Sequence, residues 1–140
     1  MLNEPWKNEP DKLHWVDEAT DLDCLIVRND LGALCGYVGI TKGNQYFEKE
    51  YNEVPVDVHG GLTYSAFCNE GGKICHVPLP GRSHRVWWLG FDCGHWGDLI
   101  PGMLKYGVNL GDRYRDIEYV KKECRNLALQ LNETTKNPFA

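Results

Sequence analysis

Apolar residues along the chain fall into several short runs, followed by one longer stretch with a helical period. The segments DCLIVRN (23–29) and GALCGYVGI (32–40) are rich in Val, Ile and Leu and meet at the turn-prone NDLG. This pattern is typical of a β-hairpin. The segments LTYSAF (62–67) and RVWWLGFD (85–92) also have the composition of strands. Most of the chain therefore predicts short strands that pair in an antiparallel sheet.

The pattern changes between residues 114 and 132, where apolar side chains recur every three or four positions. That spacing places them on one face of an amphipathic helix. The residues on this face are Ile117, Val120, Cys124, Leu127 and Leu131. The sequence thus predicts an α+β fold, in which an antiparallel sheet of short strands carries the C-terminal helix on one face. Residues 133–140 are expected to form a flexible tail.

Length and charge narrow the class of protein. The chain has 140 residues, which fits a single domain spanning 1–140 that can bury a core without disulfides. With 20 acidic and 15 basic residues the formal charge is −5, so no large positive field is available to attract duplex nucleic acid or an anionic membrane. The N-terminus is acidic and polar, unlike a secretory signal. We therefore expect a cytoplasmic protein whose partner is a small molecule.

The six cysteines, at positions 24, 35, 68, 75, 93 and 124, do not indicate a disulfide framework. In a reducing compartment they stay as thiols, and several lie in apolar runs where cysteine packs as a small hydrophobic side chain. The sequence contains no CxxC pair, which is the strongest signal for a zinc ribbon. The cysteines are therefore expected to belong to the core.

One candidate site segment is VDVHGGLTYS (56–65), where His59 precedes Gly60 and Gly61. A pair of glycines allows positive φ angles and brings backbone N–H groups close to a ligand. Tyr64 follows in the same segment and offers an aromatic ring. This combination favours a ligand-binding loop at the mouth of a strand.

The second candidate segment, GFDCGHWGD (90–98), follows the most apolar strand of the chain. Its glycines allow Asp92, His95 and Asp98 to converge instead of alternating between the two faces of a sheet. If this strand lies beside the one that follows His59, all four polar side chains meet at one end of the sheet. The competing interpretation is structural, since Asp caps turns and a histidine can be half-buried.

Further candidates lie around this segment. Trp87 and Trp88 point to opposite faces of their strand, so one belongs to the core and the other, which we take to be Trp88, is a stacking surface. Arg82, in the loop GKICHVPLPGRSHR (72–85), could hold an anionic group or be a solvated loop charge.

Three sequence blocks resemble a family of small proteins encoded by bacteria, phages and prophages. The blocks are LCGYV (34–38), HGGLTY (59–64) and GFDxxHxGD (90–98). The resemblance covers the whole chain and brings no particular activity. The chain departs from the family pattern at Trp96 and in a longer, more polar loop at 41–53. The positions that the resemblance marks as characteristic are His59, Gly60, Gly61, Tyr64, Asp92, His95 and Asp98.

We favour the interpretation that the two segments form a pocket for a small polar, nucleotide-like ligand and use no cofactor. A ring would stack on Trp88 or Tyr64, and hydroxyl groups would donate to Asp92 or Asp98. An anionic group would be held by the glycine amides or by Arg82. A phage protein of this kind would counter host defences by sequestering a signalling nucleotide.

Two alternatives come from other classes. In a metal-assisted hydrolase, a divalent ion such as Zn²⁺ or Mn²⁺ would lower the pKa of its bound water to about 7. A metal-free hydrolase would use His59 or His95 as general base and Cys93 as nucleophile. A protein-interaction module would use an exposed aromatic surface instead. The metal ligands in the first alternative would be His59, Asp92, His95 and Asp98. The sequence leaves open whether the protein is an enzyme.

Overall fold

The computed structural model describes residues 4–67, 74, 85–107, 111 and 113–136. Short 3₁₀ helices lie at Pro5–Asn8, Tyr51–Glu53 and Pro101–Tyr106. The strands and the α-helix, in chain order, are β1 (Lys12–Val16), β2 (Asp23–Arg28), β3 (Leu34–Ile40), β4 (Tyr64–Phe67), β5 (Trp87–Asp92) and α1 (Ile117–Lys136). The α+β fold that the sequence predicts is confirmed.

The strands form one antiparallel sheet with the order β1-β2-β3-β5-β4. β2 and β3 make the predicted hairpin, with Cys24 opposite Val38. β5 pairs with β3 on one side and with β4 on the other. All of β3 is buried, and so is β5 up to its last residue. Burial on both faces explains why these two strands are apolar throughout instead of alternating.

Helix α1 packs on one face of the sheet, and its predicted apolar face joins the main core. Gly36 in β3 permits this close packing, because a Cβ there would lie 2.4 Å from the Phe91 ring and 2.8 Å from Cys124 Sγ. The opposite face of the sheet carries a second apolar cluster that includes Tyr37 and Trp88. The sheet therefore has a buried layer on each side.

Strand β1 is an element that the sequence analysis did not predict. It has the sequence KLHWV and lies in a stretch that is acidic and polar overall. β1 pairs with β2 along its whole length, with Leu13 opposite Ile26. Leu13 and Trp15 pack against the main core. Pairing with a buried neighbour supplies the stabilisation that the local composition does not indicate.

Helix α1 begins at Ile117, later than the expected residue 114, and continues to Lys136. The sequence predicts the end of the helix at about residue 132. Glu9 caps the start of the helix: its Oε2 accepts a 2.8 Å hydrogen bond from the Ile117 amide, and its Oε1 accepts one of 2.6 Å from the Tyr114 hydroxyl. The first N–H groups of a helix need such partners because the helix itself supplies none.

Four cysteines are free thiols buried in the structure: Cys24, Cys35, Cys93 and Cys124. This agrees with the expectation that cysteine packs in the core here. Burial raises the pKa of Cys24 to about 12. Cys68 and Cys75 lie outside the described residues. Within the described ranges, no helix combines the length and the apolar character needed to cross a bilayer.

Candidate functional site

His59 lies at the centre of a hydrogen-bonded group that joins three parts of the chain. Its Nδ1 is 2.7 Å from the Tyr119 hydroxyl on α1, and its Nε2 is 2.8 Å from Asp98 Oδ2. The His59 backbone amide donates to Glu123 Oε1, also on α1, at 2.8 Å. The His59 side chain is 13% exposed. Both ring nitrogens are therefore engaged inside the protein.

Asp98 is the buried carboxylate of this group, with its side chain only 1% exposed. It accepts three hydrogen bonds, from His59 Nε2 at 2.8 Å, from Arg115 Nε at 2.9 Å and from the His95 amide at 3.1 Å. Burial raises the pKa of this carboxyl, but these hydrogen bonds lower it more, so the net shift is downward. Asp98 is thus an ionised carboxylate whose oxygens accept hydrogen bonds from three donors.

The charge on Asp98 fixes the proton positions on His59. A carboxylate can only accept hydrogen bonds, so Nε2 of His59 carries a proton. In a neutral imidazole, Nδ1 then accepts from the Tyr119 hydroxyl. The guanidinium of Arg115 lies 4.8 Å above the Tyr119 ring. We call these four residues, Tyr119, His59, Asp98 and Arg115, the His59 chain.

The turn that carries His95 is built by local hydrogen bonds and one close contact. The Gly94 amide donates to Asp92 Oδ1 at 3.0 Å, and the Asp98 amide donates to the His95 carbonyl at 3.0 Å. Gly60 lies directly against the His95 ring, because a Cβ at position 60 would be 2.3 Å from it. Gly60 also has a φ of +68°, which favours glycine. His59 thus supports the His95 turn through Asp98, and Gly60 packs directly against the His95 ring.

The exposed part of the site consists of Asp92, His95 and Trp96, which we call the 92–96 surface. His95 Nε2 lies 3.1 Å from Asp92 Oδ1, and the two side chains are 36% and 31% exposed. The Thr63 hydroxyl donates to Asp92 Oδ2 at 3.1 Å. Trp96 is 85% exposed. The rings of His59 and His95 are 6.3 Å apart, so this surface borders the His59 chain.

The structure brings together five of the predicted site residues: His59, Gly60, Asp92, His95 and Asp98. The other predicted site residues that the structure describes do not join this group. Trp88 is fully buried on the sheet face opposite α1, and Trp87 is almost fully buried on the face that α1 covers. Neither residue therefore presents an indole face to a ligand. Tyr64 packs edge-on against Tyr37 at 5.3 Å. The Gly61 amide donates to the Val58 carbonyl at 2.9 Å. Arg82 lies outside the described residues.

Sequence reasoning missed the residues that α1 and the segment before it contribute. Arg115, Tyr119 and Glu123 lie far along the chain from His59, so no local spacing connects them. Their relative spacing on the helix does put Tyr119 and Glu123 on one face. Trp96 lies in the predicted segment 90–98 without being among the predicted site residues, and its side chain is 85% exposed.

The described side chains give little support to a metal centre or a thiol nucleophile. Among the described ranges, no three His, Cys, Asp or Glu side chains are grouped so that they could hold a metal ion. Cys93 is 2% exposed, and burial raises the pKa of its thiol well above the ordinary range. A protonated thiol inside the core does not act as a nucleophile.

The polar loop at 41–53 packs at the other end of α1. Asn44 Nδ2 donates to the Leu131 carbonyl at 3.3 Å, and Trp87 Nε1 donates to the Lys49 carbonyl at 2.9 Å. Leu131 lies roughly 18 Å along the helix from Tyr119, at 1.5 Å per residue. The points where the loop is anchored are therefore well separated from the His59 chain.

Comparison of the chain with protein-family models, with curated proteins and with solved structures found no match.

Proposed function

We propose that the protein binds a small polar ligand that carries a ring, and that the 92–96 surface is the binding site. The observation that carries this proposal is the 85% exposure of Trp96 on the same turn as Asp92 and His95, whose side chains are 31% and 36% exposed. A large aromatic side chain that is not used in the core can stack on the flat face of a ligand. The neighbouring polar groups would set its orientation.

Each residue of the surface has a distinct role in this proposal. Trp96 stacks on the ring. Asp92 accepts hydrogen bonds from hydroxyl or amino groups of the ligand, since each carboxylate oxygen keeps a lone pair beyond its present donor. His95 Nε2 is buried 3.1 Å from Asp92 Oδ1 and makes no hydrogen bond within the described residues, so Nδ1 is the ring nitrogen left for a ligand. Nδ1 makes no hydrogen bond to any residue in the described part of the chain.

The His59 chain supports the site by fixing its geometry before the ligand binds. Asp98 holds the His95 backbone, and Gly60 lies against the His95 ring. A group that is already held in place loses little conformational freedom on binding, which favours affinity. In this proposal His59 is a positioning residue and does not contact the ligand.

Binding without turnover is consistent with the role suggested by the phage resemblance. An accessory protein that removes a signalling molecule from solution needs affinity and no catalyst. The ligand that is released when the protein is denatured would then be chemically unaltered.

A second candidate function is acid–base catalysis, and the His95–Asp92 pair is the observation that favours it. Asp92 Oδ1 lies 3.1 Å from Nε2, and a carboxylate this near favours the tautomer with its proton on Nε2, which leaves Nδ1 to accept a proton. In that case His95 Nδ1 would take a proton from a water molecule or a hydroxyl group of the bound ligand. Recovery of a chemically altered ligand would favour this second function.

The proposal can be tested by NMR on protein with ¹⁵N-labelled indole groups. The small-molecule fraction of the host cells is added, and the Trp96 indole signal is identified by its loss in the Trp96→Phe variant. We expect the Trp96 signal to shift while that of Trp6, which packs against Tyr114, stays in place. An unchanged Trp96 signal would contradict the proposal.

A further inference from the structure

The charges around the 92–96 surface carry information about the class of ligand. Arg115 and Asp98 form a contact of 2.9 Å, so their charges offset each other. Asp92 and Glu123 have no such partner, since no Lys or Arg of the described residues pairs with either of them. Asp92 therefore carries a charge that no basic side chain of the described residues pairs with, in a protein whose formal charge is −5.

The charge on Asp92 acts against a phosphorylated ligand. A phosphate group within one Debye length of Asp92, about 8–10 Å at ordinary salt, is repelled by the carboxylate. A ligand ring stacked on Trp96 would keep its substituents within that range, because Asp92 and Trp96 lie on the same short turn. The Asp92 carboxylate does not repel an uncharged ligand in this way.

The same carboxylate favours hydroxyl groups. Asp92 Oδ1 accepts from the Gly94 amide and Oδ2 accepts from the Thr63 hydroxyl, so both oxygens are held in fixed directions. Two neighbouring hydroxyl groups on a ring can donate to the two oxygens of one carboxylate. His95 Nδ1, which makes no hydrogen bond to the described residues, is available for a further one.

We propose that the ligand is an uncharged ring compound with neighbouring hydroxyl groups, of the nucleoside or sugar class, and that its phosphorylated form is discriminated against. This inference rests on the proposed function of the 92–96 surface and narrows it. Trp96 stacks on the ring, Asp92 receives the hydroxyl groups, and the charge of Asp92 excludes phosphate.

The experiment titrates the full-length protein with the four ribonucleosides, their 5′-monophosphates and methyl glucoside, with the Trp96 indole signal as the readout. We expect at least one nucleoside or the glucoside to bind, and a bound nucleoside to bind about tenfold more tightly than its monophosphate at low salt. Binding of a nucleoside but not of the glucoside would assign the ligand to the nucleoside class, and the reverse result would assign it to the sugars.

A variant without the Asp92 charge tests whether that charge causes the discrimination against phosphate. Asp92→Asn should weaken binding of the uncharged compound and bring its affinity close to that of the monophosphate. Glu53→Gln, which removes one exposed acidic charge on the 3₁₀ helix Tyr51–Glu53, is the matched control and should change neither affinity.

The possible failures of the two proposals are distinguishable. A monophosphate that shifts the Trp96 signal at the same or lower concentration than its nucleoside would overturn the ligand class and leave the binding site in place. An unshifted Trp96 signal with every compound, under conditions where the protein is folded, would overturn the ligand class together with the site.

Discussion

At the scale of single residues, the His-Gly pair at 59 and 60 has a mechanical explanation. His59 connects helix α1 to Asp98, and Asp98 in turn holds the amide of His95. Gly60 leaves the space that the His95 ring occupies. The sequence suggests that His59 and Gly60 contact a ligand. In the structure they instead support His95, which is partly exposed.

Replacing His59 by Leu is expected to lower the free energy of unfolding by about 1–3 kcal/mol, because it removes both ring nitrogens and leaves the buried Asp98 short of a donor. Tyr119→Phe removes a single hydroxyl from the same chain and should cost about 0.5–1.5 kcal/mol. Urea unfolding of both variants and of the double variant measures their coupling. If the two hydrogen bonds act together, the double variant costs less than the sum. Strict additivity, or a His59→Leu variant as stable as the wild type, would refute the supporting role.

Asp98 also predicts a pH dependence. Its pKa is lower in the folded protein than in the unfolded chain, so its ionised form stabilises the fold. This contribution is fully present above the unfolded value of about 3.9 and is lost as the pH falls through the lower folded pKa. Asp98→Asn should be less stable than the wild type at neutral pH, and the difference should shrink below about pH 4. A difference that is constant from neutral to acidic pH would contradict this assignment.

At the scale of elements, the start of α1 determines where half of the His59 chain lies. Arg115 and Tyr119 stand on either side of the first helical residue, Ile117. The amide of that residue is capped by Glu9, which belongs to the N-terminal segment. Arg28 on β2 donates to the Tyr114 hydroxyl at 2.8 Å and fixes the same region. The helix start is therefore held by two segments that are distant in sequence.

Glu9→Gln is expected to destabilise the protein by about 1–2 kcal/mol, since it weakens the cap and the charged contact to Arg28. Glu118→Gln is a suitable control. Glu118 lies in the first turn of the same helix, is 76% exposed and, among the described residues, forms an ion pair only with Lys121. Its loss should cost about 0.5 kcal/mol or less. Equal effects of the two substitutions in chemical denaturation would show that Glu9 acts only as a general negative charge near the helix.

At the scale of the whole molecule, elements with a local signal could be predicted and contacts between distant segments could not. The hairpin of β2 and β3 has a turn signal between two apolar runs, and α1 has a clear period. β1 depends on pairing with β2, so its own composition does not indicate it. The site divides in the same way. Asp92, His95 and Asp98 share one turn and were expected to converge, whereas Tyr119 and Arg115 reach His59 only through the packing of α1.

The burial of cysteines gives a test of the whole fold. Cys24, Cys35, Cys93 and Cys124 are buried, and burial raises the pKa of each thiol. A buried, protonated thiol reacts slowly with disulfide reagents. In the native protein, these four cysteines should therefore resist Ellman's reagent, and all should react after denaturation. Rapid labelling of any of these four, located by peptide mass mapping, would contradict the described core.

The central claim of a binding surface at Trp96 is tested most directly by native mass spectrometry. The wild type, Trp96→Ala and Tyr106→Ala are purified from the same host cells and gently desalted. Tyr106 is another exposed aromatic residue, 70% accessible, outside the 92–96 surface. We predict a discrete added mass of a small organic molecule on the wild type and on Tyr106→Ala, and its loss from Trp96→Ala. A bare wild-type chain, or an adduct that survives equally in Trp96→Ala, would contradict the account.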